Sequence, residues 1–136
     1  MVKILFICKY NRFRSKVAEV YLKKINSQVQ VSSAGIFEVD IPYSPKERKR
    51  NNYILKKFNL NVIGKSKGLK VSTLENQDKI IVVANNIPRK IFSHKTWVNK
   101  IEFWPIPDEE GDNVNNINKS VNKIIKRINK LNRNLT

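Results

Sequence analysis

Short apolar runs alternate with helix-periodic stretches along this chain. Lys3–Ile7 and Lys79–Val83 are each a lysine followed by four apolar residues, the pattern of strands buried on both faces of a parallel sheet. Val29–Ser32 and Ile101–Trp104 read as two further strands with a fainter pattern. Between them, Ser15–Ile25 places Val17, Ala18, Tyr21, Leu22 and Ile25 on one side of a helix. Lys46–Phe58 does the same with Tyr53, Ile54, Leu55 and Phe58. Asn86–His94 reads as a helix opened by a capping residue, with Pro88 in its first turn. The clearest helix is the last one, where Val114, Ile117, Val121, Ile124, Ile125, Ile128 and Leu131 recur at spacings of three and four. Its other face is Lys, Arg and Asn. Ile36–Ser44 reads as an irregular loop, and Gly64–Leu69 as a loop or a short helix start. This order predicts an α/β layer fold with a mainly parallel sheet.

The first strand delivers a cysteine to the turn that feeds the first helix, in the run Cys8-Lys9-Tyr10-Asn11-Arg12-Phe13-Arg14-Ser15. Ligands of parallel sheets bind outside the carboxyl ends of the strands. Backbone N–H groups at a helix start attract anions. An arginine beside them can hold two oxygens at once. Nearby positive charge favours the nucleophilic thiolate form of a cysteine. The segment has the makings of a phosphate cradle, residues 8–15, with a nucleophile at its base.

In these residues the chain resembles the low-molecular-weight protein tyrosine phosphatases. The likeness runs nearly the whole length, through Ser32-Ser33-Ala34-Gly35, the Asp78–Ala84 strand, Pro107-Asp108 in a late loop and the long final helix. It implies a single domain over residues 1–136 with a flavodoxin-like, three-layer αβα fold and a four-stranded parallel sheet, shared with arsenate reductase-like relatives. It implies Cys8 as nucleophile, Arg14 gripping the phosphoryl oxygens, Ser15 bonding the thiolate, Asn11 bracing the loop, Ser33 supporting it and Asp108 as general acid. Hydrolysis would pass through a phosphocysteine. It would need no cofactor or metal, because loop amides and Arg14 supply the electrostatic stabilisation.

The chain departs from the family pattern in four places. Tyr10 stands where a glycine is usual, and glycine tolerates positive φ where tyrosine is strained. Phe13 replaces a common second cysteine. Glu109 replaces the proline after the acid, and the aromatic pair that often follows is missing. Phe37, Tyr43 and Tyr10 are the candidates to replace that aromatic wall. Lys9 and Arg12 add cations that are expected to stand inside the cradle.

Composition narrows the alternatives. The 136 residues suit one domain, and 40% are hydrophobic, enough for a core. No apolar run reaches the roughly 20 residues of a membrane helix, and the opening residues lack a signal-peptide pattern. With one cysteine, an internal disulfide is excluded and a cytoplasmic location is expected. One Cys and one His, His94, cannot fill a zinc site. Arsenate reduction through a relay of cysteines is excluded by the same count. The 27 basic and 11 acidic residues give a net charge of +16, which attracts polyanions and acidic partners.

The expected partners are a phosphorylated protein or small aryl phosphate and an acidic protein, with no membrane contact and a monomeric state. Nucleic acid is supported by charge alone, without a motif. The competing function is a catalytically weak or inactive module that holds phosphate or polyanions on its basic surface. Lys46–Arg50 reads as a solvated helix turn, and Trp97 and Trp104 as packing residues. His94 reads as a surface residue. Asp108, Glu109, Glu110 and Asp112 read as solvated loop charges rather than a cation site, with Asp112 capping the last helix. Because no second cysteine can trap an oxidised Cys8 as a disulfide, peroxide should drive it to irreversible oxidation. Activity should not return after thiol treatment; full recovery would contradict this.

Overall fold

The computed structural model describes residues 1–109 and 111–135. Four strands form one parallel sheet: β1 (Lys3–Cys8), β2 (Gln30–Gly35), β3 (Lys79–Val83) and β4 (Ile101–Trp104). Their order is β2-β1-β3-β4, and Lys3 pairs with Gln30 while Ile4 pairs with Lys79. The continuous apolar run of β1 feeds both faces. Ile4 and Phe6 join one core with α1 (Arg14–Ile25), α2 (Pro45–Phe58) and α4 (Val114–Arg133). Leu5 and Ile7 join the other core, with Leu74 from the short α3 (Val71–Glu75), Phe92 and Trp97. The three-layer, flavodoxin-like arrangement expected from the sequence is the one found.

The topology locates the site. The chain leaves β1 to build β2 on one side and returns to build β3 on the other, so a crevice opens at the carboxyl end of β1. Cys8 is the last residue of that strand. At the matching end of β2, a Cβ on Gly35 would lie 2.8 Å from the backbone of Tyr10, Asn11 and Phe37. Only glycine lets the loop after β1 close against the sheet.

Three expectations change. Residues 86–94 hold no α-helix; only Arg89–Phe92 turns, as a 3-10 helix. Its backbone is instead drawn over the sheet, with Phe92 buried against Phe103. β2 runs on to Gly35 because its register with β1 pairs Cys8 with Gly35. The cap of α4 is Asn113, whose side chain accepts from the Asn116 N–H, rather than Asp112.

Ile124 is fully buried on the apolar face of α4. Ile124→Ala should cost ~2–5 kcal/mol, read as a lower urea midpoint at unchanged slope. A loss below about 0.5 kcal/mol would mean that α4 does not complete the core.

Candidate active site

The loop after β1 folds around the cysteine sulfur. Asn11 donates its backbone N–H to Cys8 Sγ at 3.3 Å, and Ser15 Oγ lies 3.0 Å from the same sulfur. Bringing the Asn11 N–H back to residue 8 requires a left-handed turn, and Asn11 adopts φ 53°. Asparagine tolerates that region far better than most residues. The left-handed position falls on Asn11 and not on Tyr10, so tyrosine replaces the usual glycine without backbone strain.

The Asn11 side chain fixes the rest. Its Nδ2 donates to Ser15 Oγ at 2.8 Å and to Ser33 Oγ at 2.9 Å. Its Oδ1 accepts the Lys67 N–H at 2.9 Å. Ser33 in turn donates to Glu19 Oε1. Burial opposes ionisation of Glu19, yet hydrogen bonds from Lys23 and Ser33, with the charges of Lys23 and Lys16, hold its carboxyl below the ordinary value. An ionised Glu19 accepts only, so Ser33 must donate to it and accept from Asn11. Ser15 also accepts from Asn11, which leaves its own proton for the sulfur. The whole relay is buried. Glu19 carries no motif signal; its place one helical turn after Ser15 was its only trace.

Arg14 stands beside this relay, 1% exposed. Its Nη1 donates to Asn86 Oδ1 at 3.1 Å and to the Ile106 carbonyl at 3.0 Å. Its Nε is buried with no partner, and Nη2 is 3.6 Å from Asp108 Oδ2, too long for a hydrogen bond. One edge of the guanidinium, Nε and Nη2, is therefore presented for an oxyanion. The start of α1 adds to it: Phe13 occupies the N-cap and supplies no side-chain cap, so first-turn N–H groups remain open. Cys8, Arg14 and Asp108 line one cavity of about 370 Å³.

The wall of that cavity differs from expectation. Arg12 lines the cavity, but its donors turn to the protein. Its Nε and Nη2 bind the Glu47 carboxylate at 3.0 and 2.8 Å, and Nη1 binds the Ile41 carbonyl at 2.9 Å. Tyr43 stacks on the guanidinium at 4.2 Å instead of lining the pocket. Lys9 lies over the Tyr10 ring at 5.2 Å. A bidentate carboxylate outcompetes water for Arg12 before any ligand arrives. The aromatic wall is Tyr10, backed by Phe37 with ring centroids 6.0 Å apart, together with Phe13.

The Lys46–Arg50 turn is not simply solvated. Arg50 is 2% exposed. It donates to the Arg12 carbonyl at 3.0 Å and the Glu109 carbonyl at 2.8 Å, joining the cradle to the loop that carries Asp108. Glu109 does not face a cation site: its carboxylate accepts from the Gly111 and Asn113 N–H groups and from Asn116 Nδ2. Glu110 lies outside the described residues. His94 is exposed and stacks on the buried Trp97 at 4.7 Å.

A family model described as low molecular weight phosphotyrosine protein phosphatase matches residues 3–136. No curated protein matches the chain. Among solved structures, the low molecular weight protein tyrosine phosphatase from T. tengcongensis is similar at 20% identity, covering 98% of this chain and 99% of that one, with a TM-score of 0.82. SP-PTP from Streptococcus pyogenes is similar at 22% identity, with 100% and 94% covered and a TM-score of 0.78. YwlE arginine phosphatase from Geobacillus stearothermophilus is similar at 19% identity, with 99% and 93% covered and a TM-score of 0.78. At these identities the structures speak to the fold.

The Glu47 carboxyl is held at about 2, below its ordinary 4.5, first by the Arg12 hydrogen bond and then, against burial, by the Ser44 N–H and the charges of Arg12 and Arg50. A depressed folded-state value stabilises the fold above about pH 4.5 and loses that effect as pH falls toward 2. Glu47→Gln should therefore lower the urea midpoint at pH 7, with the gap from the parent closing between pH 4.5 and 2. A gap that stays constant with pH would show that the charge is not what holds the two arginines.

Proposed function

Because the chain belongs to the low molecular weight phosphotyrosine protein phosphatases, a family of cysteine-dependent enzymes, we propose that it hydrolyses phosphotyrosine or other aryl phosphates through a phosphocysteine on Cys8. The observation that carries this reading is the open Nε–Nη2 edge of buried Arg14, lining the same cavity as Cys8 and Asp108. A buried guanidinium with an unpartnered N–H is a costly arrangement unless an anion satisfies it.

The steps follow from those groups. The phosphoryl group enters with its equatorial oxygens on Arg14 and the loop amides. The Cys8 sulfur, steadied by Asn11 N–H and Ser15 Oγ, attacks phosphorus in line with the leaving oxygen. The S–P bond forms, the P–O bond breaks, and protonated Asp108 gives its proton to the phenolate. A water then attacks phosphorus with Asp108 taking its proton, and inorganic phosphate leaves as the thiolate is restored.

The aryl preference draws support from Tyr10 and Phe13 in the cavity lining, with Phe37 against the Tyr10 ring. The pocket carboxylate of Glu47 is engaged by Arg12 and Arg50, so it offers little to a phosphorylated guanidinium. A cytoplasmic site of action belongs to the same reading; no helix among the described residues is long and apolar enough to cross a membrane.

Hydrolysis of p-nitrophenyl phosphate tests the reading. Cys8→Ser and Arg14→Ala should abolish turnover, Asp108→Asn should lower kcat about 10²–10⁴-fold, and vanadate should inhibit. Turnover that survives Cys8→Ser refutes the mechanism. Phosphate binding without turnover by the parent chain would establish the non-catalytic module instead.

A further inference from the structure

The catalytic reading leaves most of the +16 charge unused. A second cavity of about 670 Å³ lies between β4 and the C-terminal half of α4. Its rim carries Lys79, Lys123, Lys126, Arg127, Lys130 and Arg133, all exposed. Its floor is Trp104, Ile106 and Leu131, all buried. The acid in the lining, Glu102, accepts the Trp104 indole N–H at 2.7 Å. Among the described residues, no carboxylate lies within ion-pair distance of Lys79, Lys123, Lys126, Arg127 or Lys130. A basic rim over a closed, buried floor, with the local acid already engaged, calls for an anionic ligand.

We propose that this groove docks an acidic, extended polypeptide segment. Two observations favour a peptide over a nucleic acid, and a third is compatible with it. First, β4 ends the sheet order, so among the described residues no strand lies along its outer edge. A peptide can pair its main chain there, which a sugar–phosphate backbone cannot. Second, base stacking has no platform: Trp104 is 2% exposed and the Arg127 guanidinium lies 5.8 Å from its ring centroid. Third, the cations fit an extended chain. Lys123, Arg127 and Lys130 recur once per helical turn, about every 5.4 Å. Alternate side chains of a strand recur at roughly 6.6–6.8 Å, a difference that flexible lysines close.

The test uses the whole chain and a fluorescein-labelled Asp/Glu-rich 12-residue peptide carrying no phosphate, followed by anisotropy. Lys123→Glu, Lys126→Glu and Lys130→Glu together should weaken binding at least about tenfold. Lys70→Glu, Lys90→Glu and Lys95→Glu, an equal change of net charge away from the groove, should alter it less than about twofold. Both triple variants should unfold at the parent's urea midpoint and turn over p-nitrophenyl phosphate at the parent's rate. Equal weakening by the two sets would overturn the proposal, since net charge alone would then account for binding. Tighter binding of a single-stranded or duplex oligonucleotide than of the peptide, at the same salt, would overturn it in favour of nucleic acid. If the parent hydrolyses no p-nitrophenyl phosphate, the catalytic reading fails while the peptide result stands on its own.

Discussion

The site depends on one amide group whose orientation is fixed from both ends. Asn11 turns the backbone left-handed so that its N–H meets the Cys8 sulfur. Its side chain then donates to two serines and accepts from Lys67. An ionised Glu19 sets the direction of every hydrogen bond in that relay. Reversing the amide would set a carbonyl oxygen facing the Ser15 and Ser33 hydroxyls and leave the Lys67 N–H unpaired. Buried networks of this kind are costly when partly satisfied. The loop accordingly has one low-energy arrangement, and that arrangement directs donors at a sulfur.

Charge is sorted by role around this centre. Arg14 keeps one edge open and spends the other on Asn86 and Ile106. Arg12 and Arg50 do the opposite. Their donors go to Glu47 and to main-chain carbonyls of the cradle, of residues 41–42 and of the loop bearing Asp108. They act as struts, and the arrangement suits arginine because its planar fork bonds several acceptors at fixed angles. Lysine at position 50 could not span the Arg12 and Glu109 carbonyls in the same way. Lys123, Lys126 and Lys130 along α4 are exposed and, among the described residues, have no carboxylate within ion-pair distance, so they define a surface.

Much of the fold was legible because it is local. Strand β1 reads out in four consecutive apolar residues that feed two cores, and α4 in a repeat that places Ile117, Val121, Ile124 and Ile128 inside. Residues 86–94 misled, because Asn86 as a cap and Pro88 in the first turn fit a helix start. The segment packs Phe92 on the sheet with only a 3-10 turn. The short α3 gave no periodic signal at five residues. Within the site, Cys8, Asn11, Arg14 and Ser15 share one loop and one spacing, and so could be picked out together.

The four strands, helices α1, α2 and α4, the cysteine at the end of the first strand and the arginine and serine one loop away can all be read from the amino-acid sequence. These are properties of neighbours along the chain, set by side-chain period and by the reach of a single turn. The folded structure alone settles which cations are held by protein acceptors and which keep an open edge. It also decided where the left-handed residue falls and that Glu19, Glu47 and Arg50 belong to the site. Those outcomes rest on partners as far apart as Arg14 and Ile106. Desolvation makes a buried donor take whatever acceptor the packing brings near, and no spacing in the chain encodes that choice.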